Sequence, residues 1–248
     1  LPADALTERV WIDSPIAVEH SERGEIKLAR AASERIANGT VGLGPTYKVA
    51  ALIVQSLVET LCGDIGIGQA ATVEAMRLAN GLSLDEFALG HESLALLVSV
   101  MVWQGNYAEA LALATRIRGK AEAIGNPTAV LGAGLPSVYA LISQGKLSAA
   151  AEVAADTESL ARMLCAPAHL ALALANRSLV TAMMGDETLA ESQVVLARRA
   201  ARDIEVKFHT GAVGYALGFE SLLLGHYERA IQLLLQFSGG PELASIGN

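Results

Sequence analysis

Aromatic residues are scarce in this 248-residue chain, at 4%, and it holds only two cysteines. Two cysteines exclude a disulfide framework, and they exclude a zinc site built on closely spaced thiolates. Cys62 and Cys165 fall far apart in apolar, helix-forming stretches, where buried reduced thiols of a cytoplasmic protein are expected. Basic residues are outnumbered, 18 against 26 acidic, and the net charge of −8 argues against direct nucleic-acid binding. No apolar run reaches the length of a membrane span without polar interruption, so no membrane association is expected. The opening Leu-Pro-Ala-Asp has neither an initiator methionine nor a signal-peptide pattern, and is read as part of a longer chain.

What the chain has is alanine, leucine and regularly placed glycine. Apolar residues make up 52%. Alanine-rich sequence favours closely packed helices, because alanine loses no side-chain entropy and lets backbones approach. Six glycines are each followed five residues later by alanine: Gly24/Ala29, Gly66/Ala71, Gly105/Ala110, Gly145/Ala150, Gly185/Ala190 and Gly225/Ala230. The steps between these glycines are 42, 39, 40, 40 and 40 residues. A fixed period near 40 predicts stacked helical repeats. Each repeat reads as a helix, a tight turn at the glycine, and a second helix whose alanine faces the first.

Punctuation sharpens this reading. Helices are expected over about 89–104 and 107–124, with Gly105-Asn106 between them and Gly125-Asn126-Pro127 as the break. Cys165-Ala166-Pro167 predicts the next break, and Gly185-Asp186 and Gly225-His226 the next turns. Near the N-terminus, Ser14 is expected to cap a helix that starts at Pro15. The fold class is therefore all-α: a right-handed superhelix of about six helix-turn-helix repeats, spanning residues 1–248 as a single helical-repeat domain.

The segments Gly105-Asn-Tyr-Ala-Glu-Ala-Leu111 and Gly225-His-Tyr-Glu-Arg-Ala-Ile231 resemble the turn and second helix of tetratricopeptide-type repeats. The period exceeds that family's usual 34 residues. Alanine- and leucine-rich repeats of this longer kind resemble the sensor region of large ATP-dependent transcription activators of the LuxR superfamily. That resemblance implies a module that binds an effector or a partner protein and controls self-association, between an ATPase module and a helix-turn-helix. Neither flanking module lies in this sequence. The alternative is a free-standing scaffold that holds proteins together.

No catalytic set assembles, so no enzymatic activity and no cofactor are expected. Gly39-Thr-Val-Gly-Leu-Gly-Pro-Thr46 has the glycine spacing of a phosphate loop, but Pro45 stands where the lysine is needed. His91, His169 and His209 lie near the starts of the first helices of their repeats, without further ligands for a metal. Arg116, Arg118 and Lys120, and Arg198, Arg199 and Arg202, read as solvated faces of second helices. Polar residues that interrupt the apolar first helices are the candidate groove lining. They are Glu92, Ser137, His169, Asn176, Arg177, His209 and Glu220. Charge in such a helix is costly unless it meets water or a partner. An internal Arg177–Glu220 ion pair is the competing expectation.

Overall fold

A computed structural model describes residues 6–23, 25–202 and 207–237. Twelve helices occupy them: α1 (Leu6–Glu22), α2 (Ile26–Gly39), α3 (Pro45–Leu61), α4 (Ile65–Ala79), α5 (Leu84–Trp103), α6 (Tyr107–Ile124), α7 (Pro127–Ser143), α8 (Leu147–Met163), α9 (Pro167–Met183), α10 (Glu187–Ala201), α11 (Lys207–Leu223) and α12 (Tyr227–Phe237). Among the described residues there is no strand, so the all-α expectation stands. The chain divides into two compact units, at Ala129/Val130 within α7. In the first, α3 neighbours both α1 and α5, and α2, α4 and α6 each pack on the odd helix before them. In the second, α9 packs on α8, α10 and α11, and α11 carries α12.

The turns explain why the helices end where they do. At Gly105 the backbone enters the left-handed region (φ +80°), where a Cβ would be strained. Gly105 N–H then donates to Val102 O at 3.0 Å, and Asn106 N–H reaches back to Met101 O at 2.9 Å. These bonds satisfy carbonyls that the helix end leaves open. The same reach-back closes the turns at Gly63, Gly145, Gly185 and Gly225, all with positive φ. Between α8 and α9 a cysteine does this work: Cys165 has φ +51° and is exposed. It is not the buried thiol expected, because the break places it on the turn. Cys62, at the end of α3, is half-buried, and burial pushes its thiol pKa up.

One repeat is shifted from the expected register. Gly66 lies inside α4, and the turn is made by Gly63, with φ +87°. The small residue five positions after that turn is then Gly68. Its counterparts Ala110, Ala150 and Ala190 are fully buried, and Ala230 is 2% exposed. Gly24 lies outside the described residues. Added at Gly68, a Cβ would stand 2.7 Å from Thr60 Oγ1 and 3.1 Å from Ser56 O. The α3–α4 contact is therefore closer than alanine permits, as helix separation follows the size of contact residues.

Proline does not start α1 as expected. Pro15 sits inside the helix, and Ser14 Oγ donates to Val10 O at 2.5 Å instead of capping. Val10 and Ala17, on either side, are buried in a cluster with Ala29, Ala32 and Ile36 of α2, which holds the helix together across the missing N–H donor. Helix α5 begins at Leu84, five residues earlier than expected, because Ser83 and Glu86 form a reciprocal capping box. It is long and apolar enough to cross a membrane by length and composition. In this structure Leu94, Leu97, Val98, Val100 and Met101 of α5 are buried.

Candidate binding face

Three charged junctions tie neighbouring helices together. In the first unit, Arg30 of α2 makes a forked contact with Glu59 of α3, at 2.6 Å from Nη2 to Oε2 and 3.0 Å from Nε to Oε2. In the second unit, Glu158 of α8 is almost fully buried and pairs with Arg162 of its own helix and with Arg177 of α9. The amide of Gln193 on α10, oriented with its nitrogen toward Thr181 Oγ1 (2.9 Å) and its oxygen toward Arg177 Nε (3.3 Å), adds the third helix.

The junction at the other end of this unit is denser. Arg229 of α12 donates to Glu191 Oε2 of α10 (2.9 Å), to Ser221 Oγ of α11 (2.8 Å) and to Glu220 Oε2 of α11 (3.2 Å). His226 Nδ1 lies 3.0 Å from Glu191 Oε1. Glu220 is fully buried, and its Oε1 has no hydrogen-bond partner. Burial raises its pKa above the ordinary 4.5, and the Arg229 charge offsets only part of that. Glu191 is held below its ordinary range, chiefly by the hydrogen bond from Arg229.

Arg177 and Glu220 therefore do not pair with each other; each meets a partner on an even-numbered helix. The other candidates lie outside these junctions. Glu92 is exposed on α5. Ser137 is buried and donates to Ala133 O at 2.8 Å. Asn176 is fully buried; its Nδ2 donates to Leu135 O of α7 at 3.1 Å, and its Oδ1 has no partner. His169 is half-buried near the start of α9. His209 lies outside the described side chains. Among the described residues no group of three or more His, Cys, Asp or Glu could hold a metal ion. Arg116 is exposed, as a solvated face requires, whereas Lys120 is half-buried. Arg116 donates to Asn80, and Lys120 Nζ donates to Leu82 O (2.6 Å), 5.7 Å from the Phe87 ring centroid.

An aromatic cluster on odd-numbered helices escaped the sequence reading. Tyr139 of α7 lies 6.2 Å from Tyr215 of α11, ring centre to ring centre, and Tyr215 lies 4.5 Å from Phe219. Tyr215, Phe219 and Leu222, at i, i+4 and i+7, give α11 an exposed apolar stripe, with exposures of 50%, 37% and 45%. The Tyr139 hydroxyl is buried without a partner, and burial raises its pKa well above the tyrosine range. A signal for this cluster was present. Tyr139 and Phe219 each stand six residues before a turn glycine, so they occupy one register position in a chain otherwise poor in aromatics.

No family model matches the sequence, and no curated protein matches it. The arrangement itself is suited to recognition. Exposed rings beside unpartnered buried polar atoms supply apolar contact area together with hydrogen-bonding groups that fix orientation.

Proposed function

We propose that this chain is the ligand- or partner-binding helical-repeat module of a cytoplasmic bacterial transcriptional regulator, sensing an effector and controlling self-association. Stacked tetratricopeptide-like repeats in a right-handed superhelix are part of that reading. The left-handed turns at Gly105, Gly145, Gly185 and Gly225 support it, as does the adjacency of odd-numbered helices in each unit. The observation that carries the reading is the Tyr139–Tyr215–Phe219 cluster, a half-exposed aromatic surface in a chain with few aromatics. Such rings are the usual anchors of recognition surfaces, since they bury much area with few rotatable bonds. Binding there would favour one arrangement of α7, α9 and α11 over others and so shift association.

The alternative, a scaffold that joins proteins, is favoured by one feature: the i, i+4, i+7 stripe on α11 has the period on which an amphipathic partner helix packs. The test is a thermal-shift screen with sugars, nucleotides and amino acids on wild type and on Tyr215→Ala/Phe219→Ala. A ligand at a hundred times its dissociation constant stabilises by about 2.7 kcal/mol. A shift in wild type that the variant loses is the expected result for the sensor. Absence of any shift, with a partner captured by wild type and not by the variant, favours the scaffold. A shift that both proteins share would exclude the aromatic face as the site.

A further inference from the structure

We propose a second, separate site: a cleft between α10, α11 and α12 that binds an anionic amphiphile, a molecule with one phosphate or carboxylate head and an apolar body. The cleft measures about 1000 Å³, at the upper end of small-molecule sites. Arg198, Arg199 and Arg202, within five residues at the end of α10, line it together with Val213, Leu217 and Leu233. The wall is thus cationic; Val213, Leu217 and Leu233 form the buried aliphatic floor, and Val195, 65% exposed, supplies the accessible apolar surface.

Three features set these arginines apart. Every other junction in this unit matches its guanidinium to a carboxylate: Arg162 and Arg177 to Glu158, and Arg229 to Glu191 and Glu220. Among the described residues no carboxylate pairs with Arg198, Arg199 or Arg202. The chain as a whole carries −8, so three clustered arginines select anions locally without making the protein basic. Arginine near a helix C-terminus also complements the helix dipole, which accounts for positive charge there. It does not account for an open cleft with an apolar floor beneath the same three side chains. Guanidinium forks grip phosphate and carboxylate oxygens in pairs, and their stems offer methylene surface to an apolar body. Nucleic acid fits less well. Single strands are held by stacking on aromatic rings, and the lining here is aliphatic.

The experiment is calorimetric titration with decyl phosphate below its micelle concentration. Decanol, inorganic phosphate, anionic vesicles and a single-stranded oligonucleotide serve as comparators. Two surface variants are used, Arg198→Gln/Arg199→Gln/Arg202→Gln and Val195→Asp; Val195 also lines the cleft and is 65% exposed, so neither variant threatens folding. The expected result is one decyl phosphate per chain, bound at least tenfold more tightly than decanol or inorganic phosphate. Each variant should weaken it at least tenfold while keeping the wild-type circular dichroism spectrum. Inorganic phosphate binding as tightly as decyl phosphate would overturn the proposal, as would a triple variant within threefold of wild type. Binding to vesicles or oligonucleotide without binding of decyl phosphate would also overturn it. Because Tyr215 and Phe219 are untouched in these variants, the outcome is independent of the aromatic face.

Discussion

At the scale of the residue, two glycines two positions apart in α4 should behave in opposite ways. A Cβ at Gly66 would meet nothing within 4 Å, and the residue is already helical. Gly66→Ala should therefore stabilise the chain by about 0.5–1 kcal/mol, because alanine reduces the freedom of the unfolded chain without a native penalty. Gly68→Ala places its Cβ against Thr60 Oγ1, the Ser56 carbonyl and the Thr60 amide nitrogen (3.2 Å). Thr60 can rotate, but the two backbone atoms cannot yield without moving α3. Ser56 also accepts from Gln104 Nε2 (3.1 Å) and lies 2.6 Å from Thr72 Oγ1, so the strain would spread through a buried network. A loss of about 1–3 kcal/mol is expected. Urea denaturation of both variants checks the pair. Equal effects would show that the α3–α4 contact is not set by the missing side chain.

At the scale of the element, Arg229 is the link that joins α12 to α10 and α11. Arg229→Met leaves the fully buried Glu220 carboxylate without its cation. Breaking a buried pair in this way costs about 3 kcal/mol or more. The cost should depend on pH. Glu220 has a raised folded pKa, so the folded state holds its proton where the unfolded state has lost it. Stability from this group is full in acid and falls as pH rises through the window above 4.5. Glu191 has a lowered pKa; its contribution is present above the ordinary carboxylate range and is lost as pH falls below it. Removing Arg229 takes away what holds Glu191 down and what moderates Glu220, so the penalty should be large near pH 7.5 and small near pH 3.5. A penalty independent of pH in urea denaturation would mean that Arg229 acts by packing alone. Such junctions were not legible in the sequence. Helix α6 was, from Tyr107 to Ile124, because Gly-Asn and Gly-Asn-Pro are local signals. The competing expectation pairs Arg177 with Glu220, yet Arg177 meets Glu158, because pairing depends on which faces of neighbouring helices meet. The register slip at Gly66 has a similar origin. Gly63, Gly66 and Gly68 are equal candidates in one dimension, and only the turn bonds and the close α3–α4 approach distinguish them.

At the scale of the molecule, the distribution of tryptophan makes the proposed stacking testable. Both tryptophans, Trp11 and Trp103, belong to the first unit; the second has none. Tryptophan emission therefore reports the first unit, while far-ultraviolet circular dichroism reports helix throughout. Among the described residues, α7 alone carries the chain across the boundary between them. In a stacked-repeat protein each repeat is held by its own stability and by its contacts with immediate neighbours, so damage at one end need not reach the other. Arg229→Met acts at α10–α12, far along the chain from either tryptophan. Its penalty of about 3 kcal/mol, divided by a urea slope of about 1–3 kcal/mol per molar, should move the first part of the dichroism transition by roughly 1 M or more. The tryptophan midpoint should stay near its wild-type value. Two separated transitions in the variant would agree with nearest-neighbour stacking. If both probes shifted together by the same amount, the chain would unfold as one cooperative body, and the additive account of its stability would fail.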